Sequence, residues 1–286
     1  MDSTISRSSV QRLVAVGSFA LAIITNFYYL SGRGIAGNHQ SEAFHLEYTP
    51  FTPNIVFLFF FWIASYLAQV AFLHQLFAGS SDAQKDASQA AYFLSAFNLL
   101  HFLWLVLLAH AHFILAEFVV VLNFLLTGAL YWSKRTHNLS PPLKWLTIHF
   151  AASALPFAWC LFAIFWTGAV AVHAHNLFAR IFANIFIWVL YLFPTASLLV
   201  FADWGFAFAS AFLVWGLAVG QIFVKTFALQ WIFALIIAAL LTVQGAVVMF
   251  ATGFKGLLPA DTQASIEDGI ENVQNAVRGE ETPLIN

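Results

Sequence analysis

An all-α, polytopic membrane helix bundle of about eight transmembrane helices is the architecture this sequence predicts. Composition is the first reason: 61% of the 286 residues are hydrophobic and 8% are charged, against roughly 45–50% and about 25% in soluble domains. The second is that the apolar residues gather into runs of about 20, the length at which a helix rising about 1.5 Å per residue crosses about 30 Å of hydrocarbon. The third is that the runs are continuous rather than alternating. That excludes barrel strands, and an open sheet would leave backbone groups unsatisfied in lipid. With 33 Phe and 10 Trp the apolar excess is bulky, which excludes disordered and fibrous classes. A net charge of −2 without a basic tract leaves no nucleic-acid partner to expect.

The first run, 10–30, follows Arg7 and Arg12 and ends at the interfacial pair Tyr28 and Tyr29, with Gly32, Gly34 and Gly37 beyond it. A cleaved signal peptide over 1–36 is the competing reading; the length of the run and the tyrosine pair favour a span. The second, 54–77, starts after Pro50 and Pro53 and is followed by a mostly polar turn from Gly79 to Asp86. The third and fourth, 91–110 and 112–132, are separated only by His110, Ala111 and His112. One helix over both would measure about 63 Å, roughly twice the membrane, so a tight hairpin is expected. The fifth, 145–172, follows Pro141 and Pro142; the sixth to eighth cover 177–201, 205–223 and 226–252. Pro156 and Pro194 interrupt the fifth and sixth runs, where a kink is expected.

Residues 1–253 therefore form the bundle and 254–286 a polar tail with six acidic and two basic side chains. Ile266, Ile270, Val273 and Val277 recur there at helical spacing, which suggests a short amphipathic helix whose acidic face argues against docking on anionic lipid; a partly ordered solvated tail is the preferred reading and a surface for a protein partner the alternative. Arg7, Arg12, Lys85, Lys134, Arg135, Lys144, Lys255 and Arg278 fall on one side of the bilayer and Arg33, Arg180 and Lys225 on the other, which places both termini in the cytosol. The single cysteine, Cys160, excludes an intramolecular disulfide and a thiolate zinc cage.

Ionisable and amide side chains inside spans are costly, so they are the informative ones. Glu117 is the carboxylate well inside a predicted span, and Arg180 lies at a similar depth, an arrangement in which each would neutralise the other. His110, His112, His173 and His175 cluster at predicted outer helix ends. Two His-Ala-His triplets suit a metal poorly, because residues two apart point to different faces of a helix, and an interfacial role is preferred. Asn98 and His101 share a face of the third helix; Gln69, Asn123, Asn184, Gln221 and Gln230 bond across helices or line a cavity. Haem ligation by His101 and His149 is disfavoured by their different depths, and no cofactor is implied. There is no Gly-x-Ser-x-Gly elbow, phosphate loop or His-Glu-x-x-His, so no enzyme activity is expected.

The second run reads Phe51-Thr52-Pro53, then Phe57, Phe59-Phe60-Phe61-Trp62-Ile63, Tyr66 and Gln69, with Asn98-Leu99-Leu100 and Trp104 downstream and Phe182-Ala183-Asn184-Ile185-Phe186-Ile187-Trp188 later. This resembles a fungal family of multi-pass membrane proteins without a defined function. More distantly, the Phe-Thr-Pro start and the Trp62/Tyr66 spacing are similar to the tryptophan-rich sensory protein and translocator protein superfamily. That resemblance implies five helices binding tetrapyrroles or sterols within about residues 51–201, and a ligand-pocket role for Trp62, Tyr66, Asn98 and Trp104. The chain departs from it in its eight predicted helices and in an aromatic run one residue out of step.

The expected function is binding or transport of a small hydrophobic or amphipathic ligand in an aromatic-lined intramembrane pocket. Trp62, Tyr66, Asn98, His101, Trp104, Glu117, Arg180, Asn184 and Trp188 are its candidate residues, with Glu117 and Arg180 orienting a polar end and Trp62, Trp104 and Trp188 against the apolar body. The lipid bilayer is the other expected partner. An ion-coupled transporter and a scaffold acting through the acidic tail are the alternatives; no internal repeat supports the former.

Overall fold

The computed structural model describes residues 2–30, 49–134, 136–139, 142–174, 176–224 and 229–253. Its architecture is the expected all-α bundle, with eight helices long and apolar enough to cross a membrane. They are α1 (Asp2–Leu30), α2 (Ile55–Ala78), α3 (Ser81–Ala109), α4 (Phe113–Lys134), α5 (Pro142–Ala171), α6 (Leu177–Phe201), α7 (Trp204–Val224) and α8 (Gln230–Val248). The tail at 254–286, including the expected amphipathic helix, lies outside the described residues, as do His39, His45 and His175.

Burial sorts the helices into inner and outer. In α5 the most apolar window is 83% buried and in α7 72%, against 28% in α6 and α8, so α5 and α7 form the core that the others surround. Neighbours in sequence pack as hairpins, α3 with α4 and α7 with α8, while α1 lies along α3 and α2 along the first part of α5. The outward side chains are large and apolar, among them Leu199 at 83%, Ile114 at 77% and Phe178 at 73% exposure. Water would not tolerate so extended an apolar surface, and lipid does.

Helix ends follow from local chemistry. Asn54 caps α2, its Oδ1 accepting from Val56 N at 2.9 Å, and Asn176 caps α6 by accepting from Ala179 N at 2.8 Å. The expected polar turn at Gly79–Asp86 is shorter in the structure. Ser80 Oγ accepts from Ala83 N at 3.3 Å and starts α3 at Ser81, about a turn and a half before the charge pattern gives way to apolar residues. Ala87, Ala90 and Ala91 are fully buried there, allowing α1 to approach closely.

The hairpin between α3 and α4 is tight, as expected. Ala111 N bonds to Leu108 O at 3.1 Å and His112 N to Leu107 O at 2.9 Å, with Ala111 at φ 58°. This is the double-bond C-cap in which glycine is usual and alanine is strained. The end of α5 repeats it, with Ala174 N on Ala169 O at 3.0 Å and His173 at φ 48°. His110–His112 and, of the second triplet, His173 and Ala174 thus stand at helix caps.

Two irregularities shape the interior. The first part of α5, Trp145–Ala154, is a π-helix that returns to α geometry at Leu155. Pro156 explains the place: it has no N–H for a regular turn and its ring crowds the carbonyl four residues back, a conflict the wider π turn relieves. In α6 the interruption falls at Ile187 and Trp188, between Leu177–Phe186 and Val189–Phe201, rather than at Pro194, which lies inside the second half. A close approach joins α2 to α7: Asn54 N bonds to Gly216 O at 2.8 Å, and a Cβ on Gly220 would sit 2.7 Å from Asn54 N and 2.8 Å from Thr52 O.

Candidate functional site

Five of the nine candidate residues meet. Trp62 and Tyr66, one turn apart on α2, face His101, Asn98 and Trp104 on α3, all buried. The His101 ring lies 4.2 Å from that of Trp62 and 5.3 Å from that of Trp104, centroid to centroid, and Trp159 of α5 closes the group edge-on at 4.9 Å from Trp62 and 5.7 Å from Trp104. Most polar tips of the group are matched, the buried Asn98 Oδ1 being the exception. Asn26 of α1 donates to the Tyr66 hydroxyl and to His101 Nε2 at 3.0 Å; Tyr66 donates to Ala22 O at 3.2 Å. Trp104 Nε1 donates to Thr167 Oγ1 at 3.1 Å, and Asn98 to Gln69 Oε1 at 2.9 Å. The cluster is filled by its own side chains; the space beside it, between Trp62, Ser65, Phe97 and Trp159, does not admit a water molecule.

The other four lie apart from it. Glu117 on α4 is half-buried against Gly168 of α5, with its Oε2 buried and without a hydrogen-bond partner. Arg180, also half-buried, is on the first half of α6. The expected Glu117–Arg180 ion pair does not form: the ion pairs among the described residues are Lys144–Asp86 and His149–Asp203. Similar depth along two helices did not bring their faces together. Asn184 has a buried Oδ1 without a partner, and Trp188, at the break in α6, packs on Tyr191 and on Phe233 of α8. His110, His112 and His173 are exposed at their caps. Among the described residues no group of three or more His, Cys, Asp or Glu gathers to hold a metal. His101 and His149 sit in separate networks, with Asn26 and Asp203 respectively.

Next to the aromatic cluster, and sharing Phe61 with it, is a cavity of about 610 Å³ between α2, the π segment of α5, and α7. Phe57, Phe60, Phe61, Phe150, Phe208 and Phe212 supply most of its wall. Val56 and Phe60, at 53% and 55% exposure, stand at its outer rim. The sequence marks this face only as a run of phenylalanines on the second helix; that three non-consecutive segments leave space there is a tertiary fact.

At the link between α6 and α7 lies a buried polar knot that the sequence analysis does not anticipate. Asp203, in the two-residue link between α6 and α7, is 1% exposed. Its Oδ1 accepts from Phe206 N at 3.0 Å, capping α7, and its Oδ2 accepts from the Tyr131 hydroxyl at 2.7 Å and from His149 Nε2 at 3.0 Å. His149 Nδ1 meets Thr136 Oγ1 at 2.8 Å. Burial alone would raise the Asp203 carboxyl, but the charge and hydrogen bond of His149, with the bonds from Tyr131 and Phe206 N, hold it below its ordinary value. A lone Asp just before an apolar run is a helix-start signal, and it was the sign available in the sequence.

Comparison with known proteins agrees with the fungal resemblance over part of the chain. Residues 180–285 match the family described as "Fungal protein of unknown function (DUF1774)". An uncharacterized protein of Schizosaccharomyces pombe, C637.03, is 38% identical over 94 residues, 33% of this chain and 35% of that protein, so the match spans about a third of the relative's length. No solved structure matches the chain. The match begins at Arg180, so of the residues that carried the resemblance Phe182–Trp188 lie within it and those from Phe51 to Trp104 lie outside it. From α6 onward, then, this chain is similar to a fungal family of unknown function, and its architecture is that of a multi-pass membrane protein.

Proposed function

We propose that this protein binds a hydrophobic, lipid-like molecule in the phenylalanine-lined cavity between α2, α5 and α7. The observation that carries the reading is the cavity itself: about 610 Å³, within the roughly 300–1,000 Å³ range of ligand pockets, walled by six phenylalanines with no charged group among the lining residues. Such a wall takes an apolar body, an acyl chain or a flat fused-ring system, and offers nothing to a charged solute. Its rim at Val56 and Phe60 faces the surface that lipid covers, so entry from the bilayer is the natural route.

Of the expected ligand residues, Trp62, Tyr66, Asn98, His101 and Trp104 take the role of a rigid backing for this cavity through Phe61, whose ring lies 5.9 Å from that of Trp62 and 5.8 Å from that of Trp159. Glu117, Arg180, Asn184 and Trp188 have no place in the reading. Whether binding serves sensing, transport or assembly is a separate step, which cavity occupancy precedes in each case.

Ala64 lines the cavity and is exposed, so it accepts a larger side chain without disturbing the packed core. Purified protein in detergent should bind a fluorescent polyene fatty acid saturably, with energy transfer from tryptophan, and Ala64→Trp should weaken that binding at least tenfold while leaving thermal stability within about 1 kcal/mol of the parent. Binding that Ala64→Trp leaves unchanged, in protein that still melts cooperatively, would place the ligand elsewhere.

A further inference from the structure

We propose that Asp203 is a positioning residue for the cavity: with His149 and Tyr131 it forms a clasp that fixes the π segment of α5 against α7 and so sets the width of the space between them. The inference rests on the cavity being the ligand site, and it adds what holds that site in shape.

Four observations support it. Asp203 is the first fixed point of α7, since its Oδ1 caps the helix at Phe206 N, and α7 then carries Phe208 and Phe212 into the wall. Its Oδ2 takes His149 Nε2 at 3.0 Å, and the residue after His149 is Phe150, the π segment's own contribution to the wall. One carboxylate therefore ties together the roots of two facing surfaces. Second, the seam between them is tight: a Cβ on Gly205 would lie 2.5 Å from the Trp145 ring and 3.0 Å from the Phe150 ring, and Trp145 stacks on Trp204 with centroids 4.2 Å apart. At this seam the π segment cannot move closer to α7, so a shift there is passed on to the cavity wall. Third, the clasp is anchored from outside the cavity by groups that do not line it, Tyr131 at the end of α4 and Thr136 in the turn beyond it. Fourth, the clamped element is a π-helix, a register less stable than the α form and more readily exchanged for it, so it needs a fixed point to stay in place.

A buried carboxylate–imidazole pair is weak as a source of net stability when compared with an apolar isostere, but its geometry is demanding. That combination suits a part whose task is register. Replacing Asp203 by Asn keeps the shape and an acceptor for Tyr131, and removes the charge that faces His149. Tyr131→Phe removes one hydrogen bond and leaves the pair.

The test measures the wall directly. In the full-length protein with the buried Cys160 replaced by Ala, spin labels at Leu146→Cys and Phe208→Cys report the separation of the π segment from α7 by pulsed electron resonance in lipid nanodiscs. Asp203→Asn should shift or broaden the distance distribution by several ångströms and Tyr131→Phe should do so by less. Asp86→Asn, which removes the partner of Lys144 outside the clasp, should leave it unchanged. In parallel, the polyene fatty acid should bind at least fivefold more weakly to Asp203→Asn. Distributions identical to the parent in both clasp variants overturn the proposal, whatever the fatty acid does. Shifted distributions in the clasp variants, together with a parent protein that binds no fatty acid, support the clasp and overturn the ligand reading. If Asp203→Asn does not fold, Tyr131→Phe decides alone, since an unmoved wall in that variant contradicts the clasp.

Discussion

Asp203→Leu should destabilise the protein by about 3–5 kcal/mol, the loss expected when one member of a buried ion pair is removed and the other is left uncompensated. Three groups lose their acceptor at once: the Tyr131 hydroxyl, His149 Nε2 and the Phe206 N–H at the start of α7. All of this happens where water does not reach, because Tyr131 and His149 are fully buried. The comparison is Asp86→Asn, which breaks a pair at the partly exposed Lys144 and should cost no more than about 1 kcal/mol. Thermal unfolding in detergent, followed by tryptophan emission, checks both. The pH dependence has a definite sign. The carboxyl of Asp203 is held below its ordinary value, so the stability it contributes is fully present above the ordinary carboxylate range and is lost as pH falls through the depressed value. Asp203→Asn should lack that acid-side loss, and an acid limb as steep in the variant as in the parent would assign it to other groups.

Trp159→Ala is the second large effect, at about 3–5 kcal/mol. Trp159 is 2% exposed and its ring meets those of Phe61, Trp62, His101, Trp104 and Trp166. Helices in lipid gain little from exclusion of water, so the interlocking of such rings carries much of their association, and an emptied indole site has no solvent to fill it. The cavity left behind should also loosen Phe61, the ring shared with the ligand site, so fatty-acid binding should weaken along with stability. Trp132→Ala, at 51% exposure, should change stability far less. Equal melting temperatures for the two variants would contradict the assignment of Trp159 as a centre of packing.

The spans were legible because each is a continuous apolar run near the length that hydrocarbon demands. What that criterion does not register is helix outside the hydrocarbon: the first turns of α3 are polar in sequence and helical in structure, since Ser80 caps them and buried alanines let α1 pack alongside. The contacts of Trp62, Tyr66, Asn98, His101 and Trp104 were partly legible from spacing, because residues three and four apart share a helix face. Glu117 and Arg180 show the limit of that reasoning. Depth along a helix follows from sequence position, whereas the direction a side chain faces within the bundle depends on how eight helices pack, and no single run encodes it. Asp203 escaped for a different reason. It falls between two apolar runs, where a carboxylate is ordinarily a solvated loop residue, and its burial comes from Tyr131 and His149 closing over it from α4 and α5.

Photolabelling tests the central claim most directly. A fatty acid carrying a diazirine near its methyl end, irradiated with the protein in lipid nanodiscs and mapped by mass spectrometry, should mark the segments that wall the cavity, Val56 to Ala64 and Phe208 to Phe212. Unlabelled fatty acid should compete the marks away. Labels spread without competition over lipid-facing positions such as Phe178, Phe182 and Leu199, with none enriched in the cavity, would contradict it.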